Sequence, residues 1–298
     1  SVAQGMITKG QPMIRHLPMF LSGLTAGRSL PSVAPQPFRD ILPTIKQDVP
    51  NPKGKIAIFT GCLLDFVYVD IATDVVKALN MAGYIVEMPL GQACCGAPAT
   101  YMGDVENAKK AAEMNLNAME AEKYDYIVSA CPTCTHALRD YVDFFKDNPE
   151  MLKKAEELRS KTFDFCKLVS MLGGLPDTGD GVPMKVTYHD SCHLNRYLGV
   201  TKEQRELLKA TKGVELIEMH DCDKCCGFGG SYSVKFPEMS APILEEKINN
   251  IVASGADVVA VDCPGCLLQI RGGLDARGLN NIQVKHTAQI VVEKREKK

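Results

Sequence analysis

The 298-residue chain contains no tryptophan, and aromatic residues make up only 6% of it, so a base-stacking platform has little to be built from. Its formal net charge is −2, which gives no electrostatic footprint for nucleic acid or an anionic membrane surface. No run of eighteen apolar residues occurs, so no membrane span is predicted. The apolar stretch Leu17–Leu24 is short, contains Pro18 and lacks a convincing cleavage site; it reads as a packing arm, not a signal peptide. There is no Ser–His–Asp order, no phosphate loop and no HExxH. Gly227-Phe-Gly-Gly230 is not a strand-to-helix G-x-G-x-x-G, so flavin or nicotinamide chemistry belongs on another chain. No cysteine precedes Cys62.

What the chain does have is cysteine: twelve of them, ten of which fall into two matching sets. Cys94-Cys95-Gly96 and Cys225-Cys226-Gly227 are two copies of one motif. Cys62 precedes the first pair with 31 residues between, and Cys131-x-x-Cys134 follows with 35 between. Cys192 precedes the second with 32 between, and Cys263-x-x-Cys266 follows with 36 between. Corresponding cysteines are offset by 130 to 132 positions, which marks an internal duplication. A long chain with clear helical and strand periods is unlike a small disulfide scaffold. A reduced, cytoplasmic metal protein is the expected setting, docked to a membrane only through a partner.

With 45% apolar and 23% charged residues, the chain can bury an ordinary core, divided by the duplication into two units. Residues 1–54 are rich in proline and read as an extended lead-in along another surface. Units over 55–182 and 183–298 follow. Strands are predicted over 55–60, 84–88 and 126–130, with helices over 67–81 and 104–122 and from Pro132. Residues 140–172 read as mostly helical, broken near Pro149, with a Gly/Pro/Asp-rich linker after them. In the second unit, strands are expected over 186–190, 215–219, 258–262 and 282–286, with helices between. Alternation of strand and helix gives an α/β fold: two tandem, duplicated domains, each a small parallel sheet flanked by helices. In such sheets ligands sit beyond the carboxyl ends of the strands, where Cys62, Cys131, Cys192 and Cys263 all fall.

Thiolate-rich sites select zinc, copper(I) or iron–sulfur clusters. Structural zinc takes four ligands, and five per set leaves one over. Adjacent cysteines, expected to diverge, serve one small ion badly and a polynuclear cluster well. Gly96 and Gly227 would let backbone approach such a core. Pro132 and Pro264 suit the first turn of a helix, whose positive end favours thiolate. Structural zinc, a thioredoxin-like redox pair and disulfide staples stay open as alternatives. Cys166 reads as a core residue and Cys222 as a spare thiol near the second set. His189 and His193 flank Cys192 and are candidates to hydrogen-bond cluster sulfur or relay protons. His136, His220 and His286 have weaker cases.

Tyr188-His-Asp-Ser-Cys-His193, Cys225-Cys-Gly-Phe-Gly-Gly230 and Cys263-Pro-Gly-Cys266 resemble the cysteine-rich CCG-domain family. That family includes the cysteine-rich component of heterodisulfide reductase and the iron–sulfur subunits of glycolate oxidase and lactate-utilisation complexes; these motifs look like the glycolate/lactate branch. The resemblance covers Lys55 to about Glu293. It implies a non-cubane 4Fe–4S cluster in each motif, held by Cys62, Cys94, Cys95, Cys131 and Cys134, and by Cys192, Cys225, Cys226, Cys263 and Cys266, with zinc in one motif in some relatives. It further implies an electron-transfer subunit, with no catalytic residue of its own, between a flavin-containing 2-hydroxy-acid dehydrogenase and a quinone or other carrier. The family's other expectations are disulfide reduction at the cluster, or a zinc-holding structural role. Arg15-His-Leu-Pro18 resembles the segment after a ferredoxin-like domain in the glycolate oxidase protein. That domain is missing here, so the chain is a fragment or electrons arrive through another subunit.

Overall fold

The computed structural model describes residues 13–14, 29–176 and 181–295. The expected packing arm at Leu17–Leu24 and the segment Arg15–Pro18 lie outside these residues.

In the first half, apolar runs too short for helices form β1 (Lys55–Ile58), β2 (Ile85–Glu87), β3 (Tyr126–Ser129) and β4 (Thr162–Asp164). All are parallel and lie in the order β2-β1-β3-β4. Between them run α1 (Gly61–Phe66), α2 (Val69–Met81), α3 (Ala97–Tyr101), α4 (Val105–Met119), α5 (Pro132–Asp140) and α6 (Pro149–Lys161), and α7 (Phe165–Met171) follows β4.

The second half repeats the plan with β5 (Met184–Tyr188), β6 (Val214–Leu216), β7 (Val258–Val261) and β8 (Gln283–His286), again parallel, in the order β8-β7-β5-β6. Its helices are α8 (Glu203–Lys209), α9 (Tyr232–Lys235), α10 (Pro237–Ser254), α11 (Pro264–Ala276) and α12 (Thr287–Glu293). Every residue of β7 is buried, as expected of a strand covered on both faces. The expected α/β architecture of two parallel sheets is what the chain adopts.

One hydrophobic core serves both halves. α2 packs on α12, and Val75, Val76 and Leu79 share a buried cluster with Ala288, Val291 and Val292. The described part of the lead-in, residues 29–54, straps this chain's own halves where another surface was expected. Ser29 N–H donates to Gly272 O, Ala34 N–H donates to Phe66 O, and Phe38 is fully buried. Arg39 Nε donates to the buried Asp65 carboxylate at 2.8 Å.

β4 departs from the helical reading of residues 140–172. Three residues are too few to show a strand period, and Asp164 at once caps α7 by accepting from Lys167 N–H at 2.7 Å. The turn at His193–Tyr197 is π-helical, which side-chain periodicity over five residues does not reveal. Gly96 and Gly227 also do a different job from the one expected. Both have φ of +82°, and a Cβ would stand 3.2 Å from Ala108 O and 2.7 Å from Ser240 O. They admit the close approach of α4 and α10, the second helix after each glycine.

Candidate metal centre

In each sheet the chain leaves the first strand to one side and returns on the other. The crevice between β1 and β3, and that between β5 and β7, is therefore a topological switch point. Cys62 sits in the first turn of α1 just beyond β1, and Cys131 is the N-cap of α5 just beyond β3. Cys192 and Cys263, the latter the N-cap of α11, repeat these positions.

The thiols form one continuous series. Cys62 neighbours Cys94, Cys94 neighbours Cys95, Cys95 neighbours Cys134, and Cys134 neighbours Cys131. In the second half Cys192 neighbours Cys225, Cys225 neighbours Cys226, Cys226 neighbours Cys266, and Cys266 neighbours Cys263. The two series meet, thiol to thiol, at Cys131 and Cys263. All ten predicted site cysteines are thus brought together. The adjacent pairs do not diverge as expected, since the thiols of each pair interact. Cys62, Cys94 and Cys225 are exposed and Cys192 is half-buried, while the other six are buried. The series runs from surface to interior and back to surface.

Its electrostatics repeat between halves. The Cys94 thiol is pulled well down by hydrogen bonds from Cys62 and Cys95 and from the backbone N–H groups of Gly96 and Cys95. The Cys225 thiol is pulled down likewise by Cys192, Cys226 and Gly227 N–H, the last at 3.3 Å. Donating to those sulfurs, together with burial, pushes Cys62 and Cys192 up. At the meeting point the halves differ. Cys263 is lowered by hydrogen bonds from Cys131 and Cys266, then by the Cys266 and Gly265 N–H groups at the start of α11. Cys131 is raised, because its bond to Cys263 and its burial outweigh the hydrogen bond from Cys134.

The donor set suits a thiophilic metal group. A cradle is also present: at Gly61, φ +57°, a Cβ would lie 2.9 Å from Cys134 Sγ.

The profile of the cysteine-rich domain (CCG) family matches residues 56–139 and again 186–271. The chain belongs to that family. It is 39% identical over 240 residues to lactate utilization protein A of Shouchella clausii, covering 80% of this chain and 99% of the relative. To lactate utilization protein A of Bacillus subtilis it is 36% identical over 238 residues, covering 80% and 98%. A hypothetical protein from Helicobacter pylori of known structure shares the fold at a TM-score of 0.60 and 11% identity, over 88% of this chain and 54% of that one.

The remaining candidates occupy distinct places around the two cysteine-rich domains. Cys166 is buried in the core, with its Sγ 3.5 Å from Asp262 Oδ1. Cys222 is half-buried, its Sγ 3.5 Å from Arg205 Nη2, while Arg205 pairs with Asp190 and Glu218. His193 lies 3.9 Å from Cys192 Sγ through Nδ1, which also meets Thr133 Oγ1 at 3.2 Å. Its Nε2 meets Tyr101 OH at 2.9 Å, and burial lowers its pKa. Sequence reasoning passed over Tyr101. The signal available was its place six residues after Cys95, which Tyr232 repeats after Cys226. His136 pairs with Asp140 at 2.7 Å, and His220 with Asp221 at 3.1 Å. His286 is buried and caps α12, its Nδ1 accepting from Ala288 N–H. His189 is fully buried, which pushes it down to about 4. Among the described residues, no helix is long and apolar enough to cross a membrane.

Proposed function

We propose that this chain is the iron–sulfur electron-transfer subunit of a lactate-utilisation complex, with the units over 55–182 and 183–298 each holding a 4Fe–4S group, non-cubane, on five thiolates. The ten-thiol series carries this reading, because it reaches the surface at both ends and is joined at Cys131 and Cys263. When bound, such groups supply reversible one-electron storage over a potential range set by hydrogen bonding and burial. The protein's part is to bind and to insulate. Buried Cys95, Cys131 and Cys134 and their counterparts exclude water, while Gly227 N–H and the first turn of α11 stabilise thiolate charge. The likeness to lactate utilization protein A favours lactate over other 2-hydroxy acids as the ultimate donor. Hydride removal then falls to a flavin-containing partner, with a quinone or other carrier as acceptor.

Anaerobic mixing tests the reading. The loaded chain should show no lactate–dye activity alone, and its visible absorbance should bleach when lactate and a flavin partner are added together. Dye reduction by the flavin-free chain would place a catalytic site inside it. A loaded chain that turns over a disulfide but never bleaches with a flavin partner would instead indicate a disulfide reductase.

A further inference from the structure

The two sites are duplicated but not equivalent, and the difference lies at the ends of β1 and β5. Ile58 pairs with Val128 in the first sheet, and Tyr188 pairs with Ala260 in the second. The residue just past each strand donates its N–H to the same strand neighbour: Phe59 to Val128 O at 2.8 Å, His189 to Ala260 O at 3.0 Å. Phe59 and His189 therefore hold one position in the repeat. Phe59 is fully buried and fills its place with apolar surface. His189 is 1% exposed, and neither ring nitrogen has a hydrogen-bond partner. Leaving a buried polar atom unmet costs about 1–3 kcal/mol. A packing role alone would be better served by the phenyl ring already used in the first half.

A partner of another kind is at hand. A ring nitrogen of His189 and the sulfurs of Cys226 and Cys266 lie within 4.8 Å of one another, all buried. Three donors bound to one metal at about 2.0–2.3 Å would stand roughly 3.5–3.8 Å apart, a modest contraction from this arrangement. We propose that His189 is a metal ligand of the second site, so that this site takes mixed nitrogen and sulfur coordination while the first takes sulfur alone. The inference rests on the reading that the second set holds a metal, and deepens it.

Cobalt(II) alone serves as the probe, loaded anaerobically into the metal-free full chain carrying 15N-histidine. His189→Phe copies the side chain of the equivalent position and is the variant best able to fold. Wild-type protein should show a strongly coupled 15N nucleus by electron–nuclear double resonance. His189→Phe should lose that coupling and weaken cobalt binding in the second half at least tenfold, a loss no smaller than those seen when outer partners of metal ligands are removed. Cobalt bound in both halves without a strongly coupled nitrogen overturns the inference and leaves the reading of two metal sites intact. If Cys226→Ser leaves cobalt uptake unchanged, the second half binds no metal, and reading and inference fall together.

Discussion

Cys131 and Cys263 meet thiol to thiol across the two halves of the molecule, although 131 residues lie between them in the chain. Each is the N-cap of a helix opened by proline, so the contact joins the positive ends of α5 and α11 as well as two sulfurs. Two metal groups bound on these series would share an edge yet keep separate outer ligands.

Substitution of a ligand away from that junction should therefore act locally, whereas substitution at the junction should not. Cys95→Ser and Cys226→Ser are each expected to remove iron from one half and spare the other, halving the iron content. Cys131→Ser should also alter the visible spectrum of the second half. Iron counts on the purified variants check this, and loss of all iron from Cys95→Ser would contradict two separate sites. Because ligation contributes to folding, each variant should also melt at a lower temperature when metal-loaded.

Cys166→Ser should leave the metal content unchanged. The thiol is buried beside Asp262, and a serine hydroxyl can donate to the same carboxylate, so the stability change should stay within about 1–2 kcal/mol. Iron analysis and thermal melting of the variant decide it. A large drop in iron would bring Cys166 into the ligand set.

The duplication, the alternation of strand and helix and the grouping of ten cysteines were all legible in the sequence, because each is a matter of spacing or of period. β4 was not, since Thr162-Phe163-Asp164 spans too few two-residue repeats to show a strand period and lies between two helices. Nor was the Cys131–Cys263 contact, which depends on how the two sheets pack. Gly96 and Gly227 showed in the sequence that something must approach closely, and only the structure identifies those neighbours as α4 and α10. His189 resembled any histidine beside a cysteine until its unmet nitrogens and its equivalence to Phe59 were visible.

The helix approach makes a graded prediction. Gly227→Ala places a Cβ 2.7 Å from Ser240 O at φ +82°, whereas Gly96→Ala meets Ala108 O at 3.2 Å at the same φ. Both should lose about 1–2 kcal/mol to the left-handed backbone, and Gly227→Ala should lose more through its closer contact. Denaturant unfolding of the metal-free variants gives the order, and equal losses would contradict it.

Stability should also depend on pH through Asp164. Burial, and then the neighbouring Asp262 carboxylate, lift its folded-state pKa to about 8, far above an unfolded value of about 3.9. Between those values the folded protein holds a proton that the unfolded chain has released. The contribution is thus complete below about pH 4 and is lost as pH rises toward 8. Asp164→Asn keeps an oxygen to cap α7 and should flatten the fall in stability of the metal-free protein between about pH 5 and 8. A slope unchanged by the substitution would contradict the assignment.

The central claim is that two five-thiolate sets hold iron–sulfur groups, and elemental analysis of the anaerobically purified chain tests it most directly. Two 4Fe–4S groups predict iron and acid-labile sulfide in equal amounts, about eight of each per chain. Zinc without sulfide, or a chain free of metal when prepared without oxygen, would contradict it.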